Sequence, residues 1–297
     1  MARGGRVSEQ PAPYGSPPTT PGGPPAAPAR TPRVVRTTTL QGWKAEGRRW
    51  AMLTAYDALT ASALDDAGVP VLLVGDSAGT TVLGQTSTLA VTVEEMLVLT
   101  RAVVRGTARA LVVADLPFGS YQEGPAQALA TGVRMLKEGG AAAVKLEGGA
   151  AVAPSVRALV DAGVPVMGHV GFTPQSEHAL GGYRVQGRGD DADRLLADAL
   201  ALQDAGAFAV VVEMVPSAVA ERLARELAVP VVGIGAGPGA DAQVLVVTDM
   251  AGLGGGRTPR FVKRYADLRG ELGRAAAAFA ADVEDGSFPA AEHEFTD

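Results

Sequence analysis

Ala143-Val144-Lys145-Leu146-Glu147-Gly148-Gly149 is an apolar run that carries a cation and a carboxylate two residues apart and ends in two glycines. In a strand, residues i and i+2 point to the same face, so Lys145 and Glu147 emerge side by side. Charge at the end of a buried strand is costly unless it binds something. A single Lys-x-Glu pair is common on solvated strand ends and is worth little there. The reading therefore turns on whether other strand ends repeat the theme.

Runs of the same kind occupy residues 50–55, 69–75, 110–114, 142–146, 165–168, 207–212, 230–235 and 244–248. Several are Val-rich and do not alternate, the pattern of parallel strands covered on both faces. Helix-like segments lie between most of them, at 59–67, 92–108, 125–138, 155–162, 191–205 and 217–227. Ala67-Gly68, Ala162-Gly163 and Ala205-Gly206 read as helix stops before the next strand. The connection between the seventh and eighth runs is too short for a full helix. Residues 37–49 read as a short polar helix or cap, and 275–283 as the clearest of the final helices. Eight β-α units over about 250 residues predict a (β/α)8 (TIM) barrel, with an open doubly wound sheet as the structural alternative.

Active sites of such barrels lie at the C-terminal ends of the strands. Those ends carry Asp57, Asp76-Ser77, Asp115, Lys145 with Glu147, His169, Glu213, Gly235 and Asp249. Converging carboxylates repel and lose hydration, so they persist with a cation or with shared protons. Asp76, Asp115 and Glu147 come from strands two, three and four, which are neighbours in a barrel. They predict a three-carboxylate pocket for a hard divalent ion, with positions open to water or substrate. Lys145 beside them would neutralise remaining charge and hold an anionic substrate. Glu213, between Ala-Val-Val-Val and Met-Val-Pro, is in apolar company that disfavours its charged form, the tuning a general base needs. Its strand is expected across the mouth from the metal cluster. His169 reads as a structural residue, with substrate contact as the alternative.

The totals narrow the chemistry. Of 297 residues, 47% are hydrophobic and 20% charged, ordinary for a globular protein with a large core. A net charge of −6 and the lack of a Lys/Arg cluster argue against nucleic-acid binding. With no cysteine, disulfides, thiolate nucleophiles and Cys-ligated zinc are excluded. The three histidines, His169, His178 and His293, are scattered, so a metal would take oxygen ligands, as Mg2+ or Mn2+ does. No apolar run approaches the roughly 18 residues of a membrane span. Arg3 and Arg6 have no apolar region behind them, so no secretory signal is read and a cytoplasmic location is expected. Residues 1–33, rich in Pro, Gly, Ala, Ser and Thr, read as a disordered tail, and 34–297 as a single barrel domain.

Two glycine-rich stretches complete the reading. Gly233-Ile234-Gly235-Ala236-Gly237 does not fit a dinucleotide loop, because Pro238 stands three residues after Gly235. Close packing at strand seven, or lining of the pocket, is expected instead. Residues 181–189, Gly-Gly-Tyr-Arg-Val-Gln-Gly-Arg-Gly, form a long loop after strand five that reads as a lid or subunit contact as easily as a linker.

From about residue 34 onward the chain resembles the ketopantoate hydroxymethyltransferases, of the phosphoenolpyruvate/pyruvate barrel superfamily. The resemblance rests on Thr54-Ala55-Tyr56-Asp57, Val74-Gly75-Asp76-Ser77, Ala114-Asp115-Leu116-Pro117-Phe118 and Val144-Lys145-Leu146-Glu147-Gly148-Gly149. It continues through Gly168-His169-Val170-Gly171-Phe172-Thr173-Pro174-Gln175-Ser176, the 182–189 stretch, Glu213-Met214-Val215-Pro216 and the 233–237 stretch. In that order the motifs are specific. The chain departs from the family's pattern at residues 84–92, at Asp241-Ala242-Gln243 and in its proline-rich leader.

The resemblance implies that Asp76, Asp115 and Glu147 surround one Mg2+ per subunit, directly or through water. It implies that Asp76, Ser77, Asp115 and Lys145 hold a 2-oxo acid, and that Glu213 accepts a proton. The expected reaction is hydroxymethyl transfer from 5,10-methylenetetrahydrofolate to 3-methyl-2-oxobutanoate, giving 2-dehydropantoate on the way to pantothenate and coenzyme A. Lyases of the same superfamily rely on a cysteine, which this chain lacks. The family assembly, a decamer of two five-membered rings, is the expected homo-oligomer.

Overall fold

Short Val-rich strands without alternation must be covered on both faces, and a closed parallel sheet wrapped in helices does this. The structure, a computed structural model, describes residues 34–256 and 258–295. The disordered tail expected at residues 1–33 lies outside the described residues. The strands are β1 (Trp50–Thr54), β2 (Val71–Val74), β3 (Leu111–Asp115), β4 (Ala143–Glu147), β5 (Val166–Gly171), β6 (Ala209–Glu213), β7 (Val231–Ile234) and β8 (Ala242–Leu245). They pair in parallel and in chain order, and β8 closes onto β1. This is the predicted barrel, and the open-sheet alternative is excluded.

Around it, in chain order, run α1 (Thr37–Ala45), α2 (Ala58–Asp66), α3 (Ala78–Thr81), α4 (Val93–Arg105), α5 (Pro125–Lys137) and α6 (Ala153–Asp161). The rest are α7 (Glu177–Leu180), α8 (Asp191–Asp204), α9 (Ser217–Glu226), α10 (Val247–Met250) and α11 (Leu268–Asp285). The six helices read between the strands fall within a few residues of their expected limits. At Ala67-Gly68 the chain turns as expected, with Gly68 at φ 89°, a conformation open chiefly to glycine. Leu40 of α1 is fully buried and packs with Val35 and Trp43 against Trp50, Met52 and Phe208, closing the N-terminal end of the barrel. A larger apolar layer fills the space between the strands and α2, α4, α5, α6, α8 and α9.

Two strand-end expectations are corrected. The eighth strand ends at Leu245 instead of continuing to Thr248, because the Val247 N–H is taken by Thr54 Oγ1 at 2.9 Å and the chain coils into α10. Asp249 therefore sits in a short helix, not at a strand end. Asp57 caps α2, accepting from Thr60 N–H at 2.8 Å and Thr60 Oγ1 at 2.7 Å, and stays exposed. In the Asp241-Ala242-Gln243 stretch, Asp241 receives Lys44 Nζ at 2.8 Å and the Val231 N–H at 2.8 Å, while the next two residues begin β8.

One buried carboxylate is structural. Asp65, at the end of α2, accepts the backbone N–H groups of Ala108, Arg109 and Ala110 at 3.0, 3.1 and 2.8 Å, which sets the entry to β3. Replacing Asp65 with Ala leaves these donors without their partner, and a buried donor left unmade costs about 1–3 kcal/mol. Asp65→Ala should therefore lose about 3 kcal/mol of unfolding free energy in a urea titration. An unchanged midpoint would mean that water takes over the role.

Candidate active site

Strand register brings the charged ends together. Asp115 pairs with Lys145, Glu147 with His169, and Gly171 with Glu213, so β3 to β6 deliver their last side chains to one rim. Asp76 follows β2 on the same rim. These residues, with Ser77, line a cavity of about 340 Å3 at the C-terminal end of the barrel. Every side chain proposed for the site from sequence is in it. Ser77 also lies 2.8 Å from the Tyr56 hydroxyl.

The charges form a connected set. Lys145 Nζ lies 3.1 Å from Asp115 Oδ1, and Asp115 Oδ2 accepts the Asp76 N–H at 3.1 Å. His169 sits between two glutamates, with Nδ1 3.1 Å from Glu147 Oε1 and Nε2 3.4 Å from Glu213 Oε2. Glu213 is thus joined to the acidic cluster through one imidazole, not isolated across the mouth in apolar surroundings. His169 is neither a mere core residue nor a remote one. Sequence could not reveal this, because the link depends on the β4–β5–β6 register.

Burial and neighbours set the protonation of the cluster. Burial raises Asp76 well above the carboxylate range, and repulsion from Asp115 and Glu147 adds to it. Burial also raises Asp115, against the pull of Lys145. For Glu147 burial acts in the same sense, but the attraction of His169 and Lys145 outweighs it and the group falls below its usual value. Burial alone would lower Lys145; Asp115, Glu147 and Asp76 hold it above its ordinary value. Burial and Lys145 would also lower His169, yet Glu147 and Glu213 push it up to about 9.

The donor chemistry fits a hard divalent cation. Three buried carboxylates face one lysine, and Asp115 Oδ1 has no well-aligned hydrogen bond although it touches the ammonium. Among the described residues, no three acidic or histidine groups are gathered tightly enough to chelate a metal as they stand. Gln175 bridges two of them instead. Its Nε2 donates to Asp76 Oδ2 at 2.8 Å, and its backbone N–H donates to Glu147 Oε2 at 2.9 Å. Tyr121 fixes that amide, its hydroxyl donating to Gln175 Oε1 at 2.5 Å and accepting the Glu147 N–H at 3.2 Å. Neither Gln175 nor Tyr121 was marked as a site residue from sequence. The available signal was Gln175 in the 168–176 motif directly after β5.

Glu213 is held by unusual backbone. Met214 adopts φ 47°, the only non-glycine left-handed residue among the described ones, which turns the chain sharply after β6. The Phe172 N–H donates to the Glu213 carbonyl at 2.8 Å. A Cβ on Gly171 would stand 2.3 Å from that same oxygen, so only glycine lets the β5 end approach. Tyr183, from the 181–189 loop, and Phe261 line the cavity mouth, with Tyr183 stacked on Phe172 at 4.8 Å between ring centres. A second groove of about 980 Å3 opens beside the cavity and shares Tyr183, Glu213 and Phe261 with it. Gly235 and Gly237 line that groove, the pocket-lining alternative of the sequence reading.

The family profile described as ketopantoate hydroxymethyltransferase matches residues 34–291. This chain belongs to the ketopantoate hydroxymethyltransferase family. Curated members resemble it along almost their whole length. The 3-methyl-2-oxobutanoate hydroxymethyltransferase of Saccharopolyspora erythraea is 63% identical over 287 residues, covering 97% of this chain and 94% of that one. Its counterpart from Mycobacterium ulcerans is 57% identical over 294 residues, covering 98% and 99%. Among solved structures, the hydroxymethyltransferase-family chain is similar in fold to a 2,3-dimethylmalate lyase, with TM-score 0.55, 19% identity, and 89% and 92% of the two chains covered. A phosphonopyruvate hydrolase gives TM-score 0.57 at 15% identity, with 87% and 93% covered. At these identities the likeness shows the barrel fold. Among the described residues no helix of this family member is long and apolar enough to cross a membrane.

Proposed function

We propose that the chain transfers a hydroxymethyl group from 5,10-methylenetetrahydrofolate to 3-methyl-2-oxobutanoate, forming 2-dehydropantoate, a precursor of pantothenate. The observation that carries this reading is the single cavity in which buried carboxylates and a lysine meet a glutamate across His169. Lys145, buried and held charged, is placed to receive the substrate carboxylate, with Ser77 as a further hydrogen-bond partner. Asp76, Asp115 and Glu147 would hold Mg2+, which when bound polarises the 2-oxo group and favours loss of the adjacent proton.

Glu213 takes the C3 proton. His169, already protonated at neutral pH, cannot compete for it and instead orients Glu213. The C3 carbanion equivalent then forms a bond to the one-carbon unit, whose two C–N bonds break. Water supplies the hydroxyl oxygen, and the two folate nitrogens leave protonated. The wider groove meets the cavity at Glu213 and offers room for the bulky donor beside the reacting carbon. Family resemblance extends the proposal to a cytoplasmic enzyme assembled as a decamer.

The test is an assay of the purified chain with oxo acid, methylene-folate and Mg2+. Formation of 2-dehydropantoate should follow the oxo acid and folate together and should stop when a chelator removes the cation. Turnover untouched by chelation would remove the metal from this proposal. Binding of the oxo acid without turnover would replace the enzyme with a ligand-binding barrel.

A further inference from the structure

The residues proposed to hold the acid, Asp76, Ser77, Asp115 and Lys145, stand on the β2–β4 side of the cavity, with Glu213 at the end of β6. A five-carbon acid held there leaves the β7–β8–β1 side of the same cavity unfilled. That side is lined by Ile234, Val244, Val246, Pro259 and Phe261, so it is apolar with one aromatic ring. A Cβ on Gly235 would stand 3.0 Å from Phe261 Cδ1, so the phenyl ring is seated directly on the chain leaving β7. Two polar side chains interrupt this wall, Thr54 and Asp249. The Thr54 hydroxyl is committed to the Val247 N–H at 2.9 Å. Asp249 is not committed. Among the described residues its half-buried carboxylate makes no side-chain hydrogen bond; burial raises its pKa, and Arg264 acts against this only from a distance. An apolar wall with one placed polar group is how a site orients a largely apolar ligand.

The one-carbon donor proposed above has the matching chemistry. A reduced pterin is a flat bicycle whose 2-amino group and N3–H point the same way, a donor pair like one edge of a guanidinium. A carboxylate meets such an edge with two parallel hydrogen bonds. We infer that Asp249 holds the pterin of the folate by this edge, with Phe261 against the ring face. The donor edge lies at one end of the bicycle, and the one-carbon unit between N5 and N10 lies at the other. Anchoring at Asp249, beyond β8, therefore points the reacting carbon across the cavity towards Glu213. The rest of the folate leaves by the wider groove, which Phe261 and Glu213 share with the cavity. The inference rests on methylene-folate being the donor, and it assigns to that donor a binding residue the acid does not use.

The test removes one partner of the pair at a time. Tetrahydrofolate and its 2-desamino analogue are titrated by calorimetry into the parent chain and into Asp249→Asn, with oxo acid and Mg2+ present. The parent should bind tetrahydrofolate about 10–100-fold more tightly than the analogue, the worth of a charge-assisted hydrogen bond. In Asp249→Asn tetrahydrofolate should weaken by a similar factor, and the preference for it over the analogue should vanish. Equal binding of the two ligands to the parent would overturn the inference while leaving folate as the donor. So would an Asp249→Asn protein that weakens both ligands alike and keeps the preference, the mark of a merely structural residue. No binding of tetrahydrofolate to the parent would overturn the folate reading and this inference with it. The comparison of the two ligands on the parent needs no variant, so the test stands even if Asp249→Asn fails to fold.

Discussion

Glu213→Gln should lower the exchange of the C3 proton of 3-methyl-2-oxobutanoate into D2O by roughly 10²–10⁴-fold, the usual worth of a positioned general base. Binding of the oxo acid should be unchanged. The substitution keeps size and hydrogen-bonding capacity, so the Phe172 N–H bond to the residue 213 carbonyl and the left-handed turn at Met214 persist. What is lost is the basic oxygen beside His169 Nε2. Proton exchange is followed by NMR without folate, which separates deprotonation from one-carbon transfer. The rival base is His169, but Glu147 and Glu213 outweigh its burial and push its pKa up to about 9, so at neutral pH its ring nitrogens both carry protons. Near-parental exchange in Glu213→Gln would remove Glu213 from the role.

The fold was legible because its signals are local. Val-rich runs without alternation, helix stops such as Ala67-Gly68, and carboxylates at successive run ends all survive translation into β1–β8. The last strand was misplaced because Val244 to Val247 is apolar beyond the point where Thr54 Oγ1 captures a backbone donor from another strand. Such a long-range competitor leaves no trace in nearby residues. Asp57 was over-read for the opposite reason. An acid after a strand is also a helix N-cap, and with Thr60 three residues on, capping won.

The site followed the same division. Asp76, Ser77, Asp115, Lys145, Glu147 and Glu213 were each visible as a polar residue ending an apolar run. The part played by His169 and Gln175 was not visible, since it lies in who touches whom across β4, β5 and β6.

The buried cluster makes a second strong prediction, for Lys145→Met. Lys145 is the cation in contact with Asp115, and removing one partner of a buried pair costs about 3–5 kcal/mol because the other charge is left uncompensated. Without added metal, Lys145→Met should lose about that much unfolding free energy at neutral pH. The loss should shrink as the pH falls. Asp76 and Asp115 have folded pKa values raised above their unfolded ones, so the folded state binds their protons more tightly and acid relieves the repulsion. If the same carboxylates hold Mg2+, the cation should stabilise the parent by about 2.7 kcal/mol at a concentration a hundred times its dissociation constant. It should restore a comparable share in Lys145→Met and nothing in Asp115→Asn/Glu147→Gln, where two of its oxygen ligands are neutralised. Urea titrations with and without Mg2+ distinguish the cases. Equal Mg2+ stabilisation of all three proteins would put the ion elsewhere, and a deficit in Lys145→Met that grows in acid would mean that the cluster is not governed by carboxylate repulsion.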